Sequence, residues 1–477
     1  MQTDRSAKQF DFEGFEGRKV VGGFDGGALT SNGGAALLRE ADRAIGLTSR
    51  FARCLSDGRD QDLIVHKLDT LLAQRVHAIA LGYEDLNDHD DLRYDPVLGL
   101  LSDTLIPRRT DVATLAGKST LNRLEHGLKG ATSRYAKITV DDAAMDQLFL
   151  DLYVAAHDSP PKRIILDLDA TDDPIHGAQE GRFFLMSKTC LRHWGYYRCY
   201  CYLPLYIFDG RHLLLARLRR ANIDASAGAK KEIARIVGHL RKAWPDVAIW
   251  LRADSGFARD DLMSWCEENQ VDYVFGMAQN KRLNAKIVPE LAQARARHSA
   301  TAKSARVFKD LDYRTRKSWS KTRRVVAKAE HLAKGANPRF IVTSLTAQTV
   351  AGQDLYERIY CARGEMENRI KECQLDLYAD RTSAATMRAN QLRLWFASLA
   401  YVLMEAVRRL ALAGTGMADA TAGSIRLKLL KIGAVVTISV RRIRLAFATA
   451  CPAKDIFTLA LDRLRRLADD PPAAIAA

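Results

Sequence analysis

The order of β-rich and helical runs between residues 163 and 276 constrains the fold more than any other feature of the sequence. Two β-rich runs joined at Asp209-Gly210 predict a hairpin, and the runs that follow alternate between helix and strand. A hairpin followed by this alternation predicts an α/β fold with a mixed sheet covered by helices. The predicted strands are 163–171, 199–208, 212–218, 248–254 and 271–276, and the predicted helices are 227–244 and 260–269.

A strongly basic segment lies between residues 281 and 340. It holds 17 Lys and Arg residues against four acidic residues, a net charge of +13, while the whole chain of 477 residues carries +15. A concentrated positive charge attracts polyanions, and nucleic acid fits that requirement. The alternative is a charged face that only meets solvent. The cations near the middle of this segment are Arg314, Arg316, Lys317, Lys321, Arg323 and Arg324.

Other features of the sequence favour a reduced protein outside the membrane. The longest strongly apolar run, 394–404, has 11 residues, whereas a membrane-spanning helix needs about 20. The first residues are polar and are not followed by the apolar run of a secretory signal. Eight cysteines scattered through a long chain do not resemble a disulfide framework. We therefore expect a cytoplasmic protein without membrane contact.

Three acidic residues occupy positions that suit catalysis. Asp169 and Asp254 lie at the ends of two predicted strands, and Glu367 lies on a predicted helix beyond the basic segment. Ligands of α/β sheets bind at the carboxyl ends of strands, so we expect the two aspartates to converge there and the helix to add the glutamate. Three carboxylates form a hard oxygen site for Mg²⁺ or Mn²⁺, and two such ions suit phosphodiester cleavage. The alternative is that these carboxylates only cap turns or pair with Arg.

Four motifs stand out along the chain. They are Leu166–Gly177 (LDLDATDDPIHG), Tyr200–Tyr206 (YCYLPLY), Arg252–Phe257 (RADSGF) and Tyr360–Lys371 (YCARGEMENRIK). They resemble motifs of the DDE insertion-sequence transposases, in particular the IS thirteen-eighty family. Residues 57–60, 82–88 and 119–125 also resemble that family's N-terminal motifs, so the resemblance extends over nearly the whole chain.

The resemblance implies a ribonuclease-H-like fold of the retroviral-integrase superfamily and assigns three catalytic acids. The family's first and second aspartates fall on Asp169 and Asp254, and its glutamate falls on Glu367. The nearest competitors are Asp167 for the first role and Glu365 for the third. Asp167 alternates with leucines on the same strand, so it shares a sheet face with Asp169 and is expected to support it.

A related signature of Tyr, Arg, Glu and Lys implies further residues around the glutamate. Its first three members fall on Tyr360, Arg363 and Glu367, but the lysine seven residues after the glutamate is replaced by Gln374. Lys371 is the candidate substitute. The spacing of Arg363, Glu367 and Lys371 places them on one helix face, as an ordinary surface ion-pair ladder would also do.

The resemblance and the composition together imply four regions. We expect an insertion between the second aspartate and the glutamate, where the basic segment lies. The regions are a mainly helical DNA-binding or dimerisation region (1–135), a ribonuclease-H-like catalytic domain (160–280 and 341–450), a basic β-rich insertion (281–340), and a C-terminal helix and tail (451–477).

We therefore expect a metal-dependent DNA transposase that cleaves transposon ends and transfers their 3′-OH ends to target DNA. Asp169, Asp254 and Glu367 would hold two Mg²⁺ or Mn²⁺ ions. Double-stranded DNA and a second copy of the chain, as a homodimer, are the expected partners at the nucleoid of a prokaryotic cell. Tyr360, Arg363, Lys371 and the basic segment would contact DNA. The alternatives are a ribonuclease-H-like nuclease without strand transfer and a non-catalytic DNA-binding protein.

Overall fold

The computed structural model describes residues 9–104, 113–126, 137–184 and 200–469. Parts of the predicted N-terminal region and the last residues of the predicted tail lie outside these ranges. The described chain divides into two compact units. The terminal unit consists of the residues up to Val140 together with those from Leu399 onwards, and the central unit is Asp141–Ser398.

The strands, in chain order, are β1 (Phe10–Phe15), β2 (Arg18–Gly22), β3 (Leu29–Thr30), β4 (Leu55–Asp57), β5 (Ile138–Val140), β6 (Arg163–Ala170), β7 (Asp173–Ile175), β8 (Phe183–Phe184), β9 (Tyr200–Tyr202), β10 (Leu205–Asp209), β11 (His212–Arg217), β12 (Ala248–Ala253), β13 (Asp272–Met277), β14 (Ala305–Tyr313), β15 (Arg323–Leu332), β16 (Gly335–Ala336), β17 (Arg339–Thr343), β18 (Ala434–Ile438) and β19 (Ile443–Phe447).

The α-helices are α1 (Ala36–Ile45), α2 (Leu47–Ala52), α3 (Leu68–Ala80), α4 (His89–Leu92), α5 (Pro96–Leu101), α6 (Lys118–Glu125), α7 (Asp142–Ala155), α8 (Ala229–Ala243), α9 (Asp260–Glu268), α10 (Lys281–Lys286), α11 (Val288–Thr301), α12 (Gly352–Asp354), α13 (Gly364–Lys371), α14 (Met387–Ala406), α15 (Ala422–Ile425) and α16 (Lys454–Asp469). Four π-helical segments adjoin them at Leu355–Tyr360, Glu372–Asp376, Val407–Leu412 and Arg426–Leu430. No helix in the described ranges has both the length and the apolarity to cross a membrane.

One large mixed sheet forms the framework of the central unit. Its strand order is β11-β10-β6-β12-β13-β17-β15-β14, with β16 attached to β15. β10 is antiparallel to both of its neighbours, whereas β12 is parallel to β6 and β13 is parallel to β12. The first five strands, in this order and with these directions, form the ribonuclease-H-like sheet that the resemblance implies. The predicted fold class, a mixed sheet flanked by helices, is confirmed.

Apolar side chains on both faces of this sheet explain its helical cover. On one face, β6 packs against an apolar stripe of α8 in a large core. On the other face, Trp250 of β12 packs against Leu355 and Tyr356, at the start of the segment that carries Glu367. The buried residues of α8 are Ala229, Ile233, Ile236, Val237 and Leu240, which share one face at helical spacing.

The basic segment extends the same sheet. After α10 and α11, the long strands β14 and β15 pair with each other, and β15 pairs with β17. β17 then pairs antiparallel with β13, which joins these strands to the ribonuclease-H-like part of the sheet. The segment is therefore composed of two helices followed by antiparallel strands, and its sheet is continuous with the one that carries both aspartates.

Small sheets and helices form the terminal unit. β1 and β2 form a hairpin, β4 pairs with β5, and β3, β18 and β19 form a three-stranded antiparallel sheet. Two stretches differ from what their sequences predict. Apolar residues at helical spacing predict one helix over 61–81, but the helix begins only at Leu68, and the basic stretch 424–447 has a β-like composition, but it is helical up to Leu430. In the second case the Thr421 side chain caps α15 by accepting from the backbone N–H of Ser424, which favours helix over strand there.

Candidate active site

The two candidate aspartates lie at one edge of the central sheet. Asp169 is the next-to-last residue of β6, and Asp254 follows β12 directly. The two strands are parallel, with Leu168 opposite Ala253, so the aspartates occupy equivalent positions on neighbouring strands. The carboxyl ends of parallel strands open onto the crevice where α/β proteins bind ligands. The structure thus places both aspartates at a location suited to a ligand.

Glu367 lies on a helical segment whose pitch changes along its length. The segment runs as π-helix (Leu355–Tyr360), 3-10 helix (Cys361–Arg363), α-helix (Gly364–Lys371) and π-helix (Glu372–Asp376). Such changes of pitch are frequent at functional sites. Nη2 of Arg363 donates to Oε1 of Glu367 at 2.7 Å, and Nη1 donates to Oδ1 of Asp169 at 3.5 Å. One guanidinium therefore contacts an acid of the sheet and an acid of the helix.

The negative charges of Asp254 and Glu367 act on the Asp169 carboxyl. Its side chain is only 19% exposed. Burial raises the pKa of Asp169 to about 7; Arg363 opposes the rise, whereas the negative charges of Asp254 and Glu367 add to it. Three carboxylates and one guanidinium leave negative charge uncompensated, so additional positive charge would be stabilised here.

Asp254 and Tyr360 lie in the same close-packed region. Oδ1 of Asp254 accepts a hydrogen bond from the backbone N–H of Gly256 at 2.8 Å. Gly276 of β13 leaves room for the Tyr360 hydroxyl, because a Cβ at that position would collide with it. Burial raises the pKa of Tyr360; Arg363 opposes this rise, and Asp254 adds to it. The phenol is therefore neutral and able to donate a hydrogen bond near the acids.

A buried ion pair that the sequence reasoning missed connects the two strands to the helical segment. The Arg252 guanidinium makes two contacts with the Asp167 carboxylate, one of them at 2.7 Å, and donates from Nη1 to the carbonyl oxygen of Ile359 at 2.6 Å. Both charged side chains are less than a tenth exposed. The available signal was an arginine inside the apolar run 248–253, since a buried charge needs a partner. The Asp167 carboxylate thus holds Arg252, which contacts the helical segment, and the other competitor, Glu365, is exposed.

Several cations that the sequence predicts to contact DNA are accessible. Four of them lie in the loop between β14 and β15, and Lys371 lies at the end of α13. Lys321, in the same loop, also forms an ion pair with Glu267 at 2.9 Å. A loop that presents several cations can contact a phosphate backbone. The exposed loop cations are Arg314, Arg316, Lys317 and Lys321.

Arg323 and Arg324 are held inside the fold instead. The Arg323 side chain is 2% exposed and forms ion pairs with Asp260 at 2.6 Å and with Glu267 at 2.8 Å. Arg324 pairs with Asp310 at 2.6 Å and donates to two backbone carbonyl groups. The charges of both arginines are thus neutralised by neighbouring carboxylates in this structure, and the two residues stand apart from the exposed cations of the loop.

The three acids suit a hard divalent cation by their chemistry. Carboxylate oxygens are preferred ligands of Mg²⁺, and the pKa of Asp169, raised to about 7, indicates a deficit of positive charge. The three carboxylates do not yet form a complete binding site. Within the four described ranges, no three His, Cys, Asp or Glu residues are grouped closely enough to hold an ion. Arg363 lies against two of the acids. The residues fit the metal by donor type and charge.

The sequence model of the family described as "Transposase DDE domain group 1" matches residues 12–469. The chain belongs to this family. It is thus a DDE-type transposase, an enzyme of DNA transposition and recombination, and members of this class generally use divalent metals. The narrower resemblance to the IS thirteen-eighty family stays a prediction.

Comparison with solved structures gives a distant likeness. The transposase is similar to the cryo-EM structure of a piggyBac transposase synaptic complex with hairpin DNA, with 11% sequence identity and a TM-score of 0.42. The match covers 92% of this chain and 82% of that chain. No curated protein matches the transposase. The family match, which extends over almost the whole chain, therefore carries the assignment.

Proposed function

We propose that this transposase cleaves the ends of a DNA element and joins their 3′-OH ends to target DNA, with Asp169, Asp254 and Glu367 as its catalytic acids. The observation that carries the proposal is the contact of one guanidinium, that of Arg363, with Asp169 and Glu367 at the strand edge where Asp254 also lies. The pKa of Asp169, raised to about 7, supports the same grouping because Asp254 and Glu367 contribute to the rise.

The three acids would hold two Mg²⁺ or Mn²⁺ ions, which would supply activation of the attacking hydroxyl and stabilisation of the leaving oxygen. Asp169 and Asp254 extend from paired strands, which fixes their positions. Glu367 lies on a segment of changing pitch that can adjust its approach. Arg363 neutralises two of the acids. Once bound cations balance the charge of these acids instead, the Arg363 guanidinium can donate two parallel hydrogen bonds to a DNA phosphate.

Other residues of this edge would position the DNA. The neutral Tyr360 hydroxyl can donate to a phosphate oxygen near Asp254, and Lys371 adds an exposed positive charge after Glu367. The exposed cations of the loop between β14 and β15, Arg314, Arg316, Lys317 and Lys321, would bind phosphates farther along the duplex. Arg323 and Arg324 are left out of this surface because their guanidinium groups are paired inside the fold.

The two ends of an element must be cut and joined together, so we propose that a homodimer holds them. The mainly helical region before residue 135 is the candidate for recognition of the end sequence, and the nucleoid of a prokaryotic cell is the expected location. The homodimer follows from the proposed reaction, since one active site cannot act on two ends at once.

A supercoiled-plasmid integration assay tests the proposed function. Full-length transposase, a labelled duplex that carries the element's end and Mg²⁺ are incubated with plasmid DNA. We expect labelled, nicked or linearised plasmid in which the end is joined to the target. Asp254→Asn should abolish the joined product while it still binds the end, and Glu365→Gln is the control because Glu365 is exposed on the helix that carries Glu367.

Two outcomes of this assay would overturn the proposal. Cleaved DNA without any joined product would favour a metal-dependent nuclease that uses the same acids. Binding without cleavage by the unaltered protein, at all Mg²⁺ and Mn²⁺ concentrations, would favour a DNA-binding protein that lacks catalysis.

A further inference from the structure

The hairpin formed by β1 and β2 has one aromatic face and one charged face. Phe10 and Phe12 of β1 lie on the same face as Val20, which is paired opposite Phe12, and the ring of Phe24 packs edge-on against Phe10 at 5.5 Å. All four side chains are exposed, Phe12 at 60% and Phe24 at 92%. Asp11 and Lys19, which form an ion pair at 3.0 Å, lie on the opposite face with Glu13.

An amphipathic hairpin of this kind does not stand alone in water. A two-stranded hairpin is marginally stable by itself, and contiguous exposed apolar surface marks an interaction site. A short connection rich in glycine, with Gly22-Gly23 and Gly26-Gly27, joins the hairpin to β3. Gly27 has a positive φ of 76°, which a residue with a side chain rarely adopts. The hairpin, residues 10–22, is thus joined to β3 by a flexible connection, and we call it the arm.

A second exposed apolar surface lies on the three-stranded sheet of the same unit. Leu29 of β3 is paired with Val435 of β18, and Val435 is paired with Ala446 of β19, so the three side chains form a row across one face. Leu29 is 61% exposed, and Val435 is also exposed. In the turn that joins β18 to β19, Val440 is 84% exposed. Because the apolar faces of the arm and of this sheet are both exposed, the arm does not cover the β3–β18–β19 sheet of the same chain.

The two surfaces carry opposite charge. Residues 9–27, which contain the arm, hold four carboxylates and two cations, a net charge of −2. The strands and turn of residues 434–447 hold three cations and no acid, a net charge of +3. The cations are Arg441, Arg442 and Arg444, and all three are exposed. Complementary charge favours one orientation of docking and disfavours contact between two arms or two sheets.

We propose that the arm of one protomer docks on the β3–β18–β19 sheet of a second copy, and that the second copy returns the same contact. This inference rests on the homodimer of the proposed function and names the surface that forms it. A two-fold axis makes the exchange self-complementary, so a closed dimer results instead of a chain of molecules. Phe10, Phe12 and Val20 then cover the row of Leu29, Val435 and Ala446, while the carboxylates of the arm face the arginines of β19 and its turn.

The area of this contact matches a stable dimer. With about 200 Å² for each phenylalanine side chain, the exposed fractions of the arm's aromatic face amount to roughly 400 Å² of apolar surface. Two arms and two sheets that cover each other would bury roughly 1,600 Å², the size of a typical stable interface. An arm that docked within its own chain would bury half of that and would leave the protein monomeric.

Site-directed cross-linking between two differently tagged full-length chains tests the exchange. One chain carries Val20→Cys, the other carries Val435→Cys, and the mixture is oxidised without DNA or divalent metal. We expect a covalent dimer that contains both tags and disappears on reduction. The matched control replaces Val20→Cys with Val65→Cys, an 87% exposed valine of the same unit outside the arm, and should give only the background of the native cysteines.

Sedimentation of full-length variants gives a second readout. Phe12→Glu should raise the dimer dissociation constant at least tenfold, whereas Val65→Glu should leave it unchanged. A protein that is monomeric without DNA would overturn the exchange. A chain that carries both cysteines would also overturn the exchange if its cross-link forms only within that chain. A cross-link that requires added duplex would overturn it too, because DNA would then be what the exposed surfaces bind. Because neither experiment measures catalysis, an inactive enzyme would refute the proposed function without affecting this result.

Discussion

Arg323 provides a sharp test of how charge in the basic segment is used. Its guanidinium donates to Asp260 at 2.6 Å, to the two oxygens of Glu267 at 2.8 and 3.1 Å, and to the Ser264 hydroxyl at 3.0 Å. The side chain is 2% exposed. Arg323→Ala would leave two carboxylates without their shared cation. We therefore expect a large loss of stability and no specific loss of DNA contacts.

The size of this stability loss depends on how deeply Asp260 and Glu267, the partners of Arg323, are buried. Removal of one member of a buried ion pair costs about 3–5 kcal/mol. Asp260 and Glu267 are 26% and 15% exposed, so water can solvate part of the freed charge, and we expect about 2–3 kcal/mol. Although burial raises the pKa of both carboxyls, hydrogen bonds that include those from Arg323 lower it overall. The stabilisation is thus present above about pH 4 and is lost as the pH falls through the lowered pKa values.

Urea denaturation followed by tryptophan fluorescence measures this loss. All six tryptophans of the chain lie between residues 141 and 398, so their emission reports on the central unit alone. Arg316→Ala is the matched control: its side chain is exposed, and the free energy of unfolding should change by less than about 0.5 kcal/mol. The control should instead weaken binding of duplex DNA and reduce its salt slope by about one.

A structural role of Arg323 is refuted if Arg323→Ala unfolds at the same urea concentration as the unaltered protein and weakens DNA binding as Arg316→Ala does. Arg323 would then be a DNA contact, and its ion pairs would contribute nothing to the fold. An equal loss of stability at pH 3 and pH 7 would also contradict the ion-pair explanation.

Three further predictions concern the acidic centre. Gly276→Ala should reduce cleavage of end DNA, because its Cβ would displace the Tyr360 hydroxyl. The melting temperature should change less than the cleavage rate does. An unaltered cleavage rate would exclude a role of the Tyr360 hydroxyl in cleavage. Arg252→Gln should destabilise the central unit by about 3 kcal/mol in urea, since Asp167 would be left as a buried charge, while Arg252→Lys should recover part of that loss. Without metal, Asp169→Asn should stabilise the protein at pH 8 by up to about 4 kcal/mol, because the pKa of Asp169 near 7 lies above the unfolded value and its charged form is disfavoured. The gain should shrink as the pH falls below 7 and vanish below about pH 4, where the unfolded carboxyl is protonated too, and a gain that grows as the pH falls would contradict this explanation.

The position of the two aspartates could be predicted from the sequence, because parallel strands bring their carboxyl ends to one edge whatever surrounds them. The hairpin at Asp209-Gly210 and the end of α8 before Pro245 were also predictable, since both depend on local turn and helix-breaking residues. These elements follow from short-range chemistry that a single sequence contains.

Long-range pairing could not be predicted in the same way. Arg316 and Arg323 belong to one dense basic run, yet Arg316 is exposed while Arg323 is paired with Asp260, 63 residues away. Charge density along the chain does not distinguish these two cases, because burial depends on which strand pairs with which. The π-helical turn before Arg363 likewise lies where Leu355 and Tyr356 pack against Trp250 of the sheet, a contact between residues more than 100 positions apart.

We expect Asp169, Asp254 and Glu367 to act as one catalytic unit. Single-turnover cleavage of end DNA, measured for Asp169→Asn, Asp254→Asn, Glu367→Gln and their pairwise combinations, tests this most directly. We predict that each single change lowers the cleavage rate at least about a thousandfold with end binding retained, and that the double changes lower it little further, since groups that act as a unit are not additive. Cleavage that survives any of the three single changes, or losses that multiply in the double variants, would contradict the claim.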